Sequence, residues 1–232
     1  ERRMAYYLAQ FGSEENFFSF YGNRDWWLIS QAETVNVTKY LYGRAYPTVL
    51  YDIHQMGSNG ARLFVPPFFD PVNPNIDPII SQGILLLGAH MASDLAAANK
   101  QGVLYSAIYD NWWQGGMRTT PQRHNIVAIL TEAASVKTAT PIDIKPSQLR
   151  GHDRGLPTYE TRVNFPDPWP GGMWRLRDIV DYELIAVNSM LRVSSRYRDA
   201  WVRNQLAMSE KQIALGENEA PRAWIVPANQ PN

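Results

Sequence analysis

Three apolar stretches of this chain run into side chains capable of chemistry: TVLYDI leads to His54, VLYSAI to Tyr109 and NIVAIL to Glu132. A carboxylate closing a continuous apolar run is costly to bury unless it is paired or has a task. Glu132 therefore marks either the mouth of a site or the ordinary solvated end of its strand. His54 is open to two readings as well, a metal ligand or a structural imidazole, since a metal site needs three or four ligands and one is visible here. Asp52 stands two residues earlier on the same side of an extended chain, a spacing that lets it orient the ring of a ligating histidine.

Those groups need elements to hold them. Pro47 enforces an extended entry into TVLYDI, and the turn-forming GSNG follows it. ARLFVP (61 to 66), VLYSAIY (103 to 109) and NIVAILTE (125 to 132) are the other predicted strands. Ser30 and Glu33 have capping-box spacing, which predicts a helix from there to about Arg44. Asp77 followed by Pro78 is an N-cap and first helical residue. Apolar positions 80, 84, 87, 91 and 95 then recur at helical spacing as far as about Lys100. A polar, proline-rich connector spans 136 to 172, and Trp174 to about Leu215 reads as one long helix with Gly216 as its stop. The order implies an α/β fold: a mixed, mostly parallel sheet flanked by helices, with a long C-terminal helix.

Composition narrows the function. Lys plus Arg (22) equals Asp plus Glu (22), so no net field favours nucleic acid or a membrane surface. There is no cysteine, which removes disulfides, thiolate metal sites and a cysteine nucleophile together. The longest apolar run, ILLLGAHMA, falls short of a membrane span. Neither end looks natural, ERRMAYYL opening without an initiator methionine and PRAWIVPANQPN closing on a strand-like run, so the expectation is an internal piece of a longer protein. The expected division is a domain over 1–172, the long helix over 173–216, packing on it or linking onward, and the start of a further domain or linker over 217–232.

DIHQMGSNGARLFVPPF, AIYDNWWQGG, AILTEAAS and YGNRDWWLISQAET together resemble, in order and context, the zinc metallocarboxypeptidases of the carboxypeptidase A type, most closely the large multidomain bacterial members. The likeness covers roughly residues 20 to 135. It implies a carboxypeptidase-like sheet and hydrolysis of a C-terminal peptide bond, or a related amide such as that of a cell-wall peptide. On this resemblance His54 would be a zinc ligand, Glu132 the general base, Asn23 and Arg24 the grip on the substrate's terminal carboxylate, and Tyr109 a cap over it. Such a grip is chemically apt, because a guanidinium fork meets a carboxylate with two parallel hydrogen bonds. Trp112 and Trp113, with Gly115 and Gly116 as hinges, would shape the side-chain pocket. A secreted or periplasmic setting is implied by resemblance only.

The match also departs from the family. The histidines are 54, 90, 124 and 152, and none has a glutamate three residues on, so the family's His-x-x-Glu motif is absent from this chain. His90 precedes Asp94 by four on a sheet-covering helix, while His124 and His152 read as solvated loop residues. No arginine is assignable to the family's carbonyl-polarising position. The alternative is a metal-free peptide-binding or scaffold module of the same fold. The spatial expectation of the enzyme reading is that His54 and Glu132 meet at one rim of the sheet with room for a metal between them.

Overall fold

The computed structural model describes residues 24–221, 223–225 and 227–228. Its framework is an α/β sheet of four strands: β1 (Val49–Met56), β2 (Leu63–Phe64), β3 (Val103–Leu104) and β4 (Val127–Ala134). Their spatial order is β1-β4-β2-β3. β1 pairs parallel with β4, in register from Val49↔Val127 to Met56↔Ala134, and β2 pairs parallel with β3 but antiparallel with β4. The sheet is thus mixed and mostly parallel, as the sequence implies. β4 is central and buried at every position, which is why its sequence is almost continuously apolar; β1, at the edge, alternates.

The strands expected at 61–66 and 103–109 shrink to two residues each. Proline at 66 and 67 removes backbone donors, and Ser106 and Ile108 have positive φ, so neither segment can continue a regular ladder. They still run side by side through irregular bonds, Val65 N–H to Leu104 C=O (2.9 Å), Ser106 N–H to Pro67 C=O (2.9 Å) and Phe69 N–H to Tyr109 C=O (2.8 Å). These bonds carry the chain to Tyr109.

Helix α1 spans Ala32–Tyr40 and α2 Pro78–Ala97. The capping box expected at Ser30 does not form. Ser30 is instead a donor: its N–H, its hydroxyl and the N–H of Gln31 all converge on the buried Asp25 carboxylate at 2.8–3.0 Å. Five residues past α1, Leu41–Ala45, form a π-helical turn that ends on Tyr46 at φ 45°, ψ 55°. α2 follows its sequence closely, with Asp77 Oδ1 accepting from the Ile79 N–H at 3.0 Å and Ile80, Ile84, Leu87, Met91 and Leu95 all buried. By length and composition α2 could cross a membrane; here that apolar stripe is spent on the core beneath the sheet.

The connector holds a two-stranded antiparallel ribbon, β5 (Ile142–Ile144) with β6 (Gly172–Trp174). The single long helix expected after Trp174 is two, α3 (Leu176–Arg196) and α4 (Arg198–Asn218), with Tyr197 leaving helical geometry between them. Trp201 and Met208 of α4 join Tyr182, Ala186 and Val193 of α3 in the main core, so both helices are part of the body. Trp201 is accommodated by Gly83 of α2, where a Cβ would lie 3.0 Å from the indole. Gly216, expected as a stop, sits inside α4 with open space around it.

Candidate functional site

Residues that face each other in a parallel, in-register pair project to the same side, and His54 lies directly opposite Glu132. Two residues short of the carboxyl ends of β1 and β4, the imidazole and the carboxylate meet: His54 Nδ1 is 3.0 Å from Glu132 Oε2 and 3.0 Å from the Gln55 carbonyl. In open α/β sheets this edge is where ligands bind. The histidine side chain is 38% exposed and the glutamate 6%, so the acid is held inside while the ring opens to solvent. The hydrogen bond to Glu132 raises the imidazole pKa above its ordinary value, against the opposing effect of burial. The room for a metal expected between the two groups is closed by this contact.

Asp52, expected to orient the His54 ring, does not. It is buried on the same face, its pKa is raised chiefly by desolvation, and its Oδ2 has no hydrogen-bond partner. The sheet instead delivers Glu132 to the ring, because the neighbouring strand lies closer to the imidazole than a residue two places back on its own strand.

Tyr109 reaches the site from the irregular segment after β3. Its ring packs 4.9 Å from that of Phe64, the residue opposite Glu132 on the other flank of β4. Burial first, and then the Glu132 charge, push its pKa far above the phenol range.

Arg118 completes the cluster, and the sequence reading missed it. Its Nε and Nη2 donate to the Asp110 carbonyl (3.3 and 3.1 Å), and its guanidinium lies 5.9 Å from the Phe68 ring and 5.7 Å from that of Tyr109. Burial lowers its pKa, while Glu132, Asp110 and Asp52 favour the charged form and Arg24 opposes it. No local signal marks it, since the loop DNWWQGGMRTTPQRH has no period and its arginine becomes special only when folded back against Tyr109. Arg24 belongs to the same field, its guanidinium 5.5 Å from the Trp113 ring. Asn23 lies outside the described residues.

The aromatic loop departs from expectation. Trp112 donates from Nε1 to the Pro71 carbonyl at 2.7 Å. Gly115 is no hinge; a Cβ there would lie 2.4 Å from Trp113 and 2.5 Å from Trp27, so glycine is what lets two indoles close over the backbone. His124 is exposed, as expected, and also stacks on Tyr42 with ring centroids 3.9 Å apart. His90 and His152 are exposed, and Asp94 is paired with Arg192 of α3 at 2.5 Å.

On the opposite face of the sheet, Glu183 of α3 is buried and accepts from the hydroxyls of Thr131 (2.9 Å) and Tyr51 (3.0 Å). Desolvation raises its pKa from the ordinary 4.5. Between that value and the raised one, the folded protein keeps a proton that the unfolded chain releases, so this group's stabilising contribution is full below pH 4.5 and declines as pH rises. Glu183→Gln is expected to flatten that decline, gaining on the parent protein in urea midpoint at pH 8 relative to pH 4. Parallel pH dependence in the two proteins would show that Glu183 is not held protonated.

Zinc requires three or four protein ligands. Among the described residues no group of three His, Cys, Asp or Glu side chains could hold a metal. By themselves, these residues do not fit zinc. What they do assemble is a buried carboxylate paired with an imidazole, with Tyr109 and the Arg118 guanidinium within its electrostatic reach, a setting for proton transfer beside an anion. No family model matches the chain, and neither a curated protein nor a solved structure shows significant similarity to it.

Proposed function

We propose that this chain carries part of a carboxypeptidase-type active site, in which Glu132 is the general base and the substrate is a peptide, or a related amide, with a free terminal carboxylate. The observation that carries the reading is the contact of His54 with Glu132 across β1 and β4, with Tyr109 and Arg118 gathered around it. A base must lie within hydrogen-bond reach of the proton it takes, and a carboxylate buried among donors is placed to act on one bound water. Glu132 accepts that water's proton as its oxygen bonds to the scissile carbonyl carbon. The C–N bond then breaks as the proton passes to the departing amine, leaving a carboxylic acid and an amine. Arg24, Arg118 and Asn23 bind the substrate's terminal carboxylate, two of them as charged forks. Tyr109 closes over the bound substrate. Zinc belongs to this reading only through ligands from outside the described residues, with His54 the one this chain provides.

A specific observation favours a second reading, a peptide-binding module that works without metal: the 3.0 Å His54–Glu132 contact puts the carboxylate where a metal held by Nδ1 would sit. The two separate in one experiment on the purified protein. It is incubated with a peptide bearing a free C-terminus and with the same peptide amidated, and zinc content, binding and product are measured. Release of the last residue from the free peptide alone, with bound zinc, is expected. Binding of the free peptide without product supports the module, and equal treatment of both peptides ends both readings.

A further inference from the structure

At the amino-terminal ends of β1 and β4, the opposite end of the strand pair from Glu132, lies a cavity of about 480 Å³. It is walled by the π-helical turn, the 3-10 turn Pro121–His124, the residues entering α2 and one face of α4. This is the size of a small-molecule site. Two features of its wall are uncommon. π-helical turns are rare and recur at functional sites. Tyr46, which closes this one, is held at φ 45° with its side chain 62% exposed, a conformation that costs energy unless the surroundings enforce it.

The wall's charges are already engaged. Asp77 accepts from Lys211 Nζ at 2.8 Å and from the Ile79 N–H at 3.0 Å. Arg123 turns Nη1 and Nη2 to the carbonyls of Thr119 (3.0 Å) and Trp112 (3.3 Å). His124 is stacked on Tyr42, and burial lowers its pKa, so near neutral pH it is an uncharged ring. Among the described residues the groups left free are neutral: the amides of Asn75 and Gln212, the hydroxyls of Tyr46 and Tyr42, the latter buried, and the carbonyl oxygens of Gln205 and Asn125, whose amide nitrogens are bound to Pro47 O and Ser209 Oγ. Amides and hydroxyls both donate and accept. A ligand matching them offers hydroxyls around its rim, an apolar face for the tyrosine, and no charge.

We propose that this cavity binds an uncharged sugar residue, packed against Tyr46 and hydrogen-bonded by Asn75 and Gln212. It is distinct from the Glu132 site and stands or falls independently of it. Saturation-transfer NMR on the full chain with N,N′-diacetylchitobiose, cellobiose and maltose, and with uridine and glucose 6-phosphate for comparison, tests it. Transfer to ring protons of at least one disaccharide is expected, exceeding that to uridine or the phosphate. Loss of one hydrogen bond or one stacking face should weaken that sugar's binding about fivefold in Tyr46→Ala and in Gln212→Ala. Both positions are exposed, circular dichroism should stay unchanged, and Glu132→Gln should bind as the parent does. No transfer to any of the three sugars, retention of binding in both variants, or preference for uridine or the phosphate each overturns the proposal.

Discussion

Glu132→Gln is expected to cut turnover of a peptide with a free C-terminus by roughly 10²–10⁴-fold, the range that a positioned general base contributes, while leaving peptide affinity nearly unchanged. The substitution keeps the side chain's volume and an acceptor oxygen, so the His54 ring retains a partner and the sheet keeps its register. What disappears is the capacity to take a proton. Steady-state kinetics separate this from a folding defect, because a structural loss would raise KM or lower the soluble yield rather than kcat alone. Turnover within threefold of the parent would remove Glu132 as the base and the peptidase reading with it.

The largest expected stability effect comes from a glycine with no part in chemistry. Alanine inside a helix is ordinarily better than glycine by about 1 kcal/mol. At Gly88 of α2 the sign reverses, since a Cβ would lie 2.0 Å from the Pro66 carbonyl oxygen and 2.4 Å from its carbon. That atom is backbone, so relief requires moving the chain or the helix, and overpacking of this kind costs about 2–3 kcal/mol. Gly88→Ala should therefore lower the urea midpoint markedly. Gly216→Ala, in α4 with nothing within 4 Å, should raise stability by up to about 1 kcal/mol. Equal effects at both positions would mean that α2 does not press on Pro66 as described. The contact also bears on the site, because Pro66 stands two residues after Phe64, which flanks Glu132 in the sheet and packs on Tyr109.

Local chemistry explains which elements were legible. The Asp77–Pro78 cap and the stripe from Ile80 to Leu95 act within one helix, so their spacing already specifies it. The same reasoning failed at Ser30, where the buried Asp25 competes successfully for the backbone donors, and at Tyr197, where burying Trp201 outweighs continuing one helix. Short-range rules carry no information about a carboxylate or an indole that arrives from elsewhere.

The site divides along the same line. Strand-end position alone singled out His54, Tyr109 and Glu132, since a polar group terminating an apolar run is anomalous wherever the strand ends up. The chain's order also specified an α/β sheet with β4 inside it, because a strand covered on both faces must be apolar throughout. Tertiary structure decided the rest. Register across two strands 78 residues apart made Glu132, rather than Asp52, the partner of His54. Loop folding brought Arg118 to Tyr109, and helix packing put Glu183 behind the sheet against Thr131. Patterning specifies which face of an element is buried; which charges then share a low-dielectric space depends on contacts between elements, and no single segment of sequence encodes those.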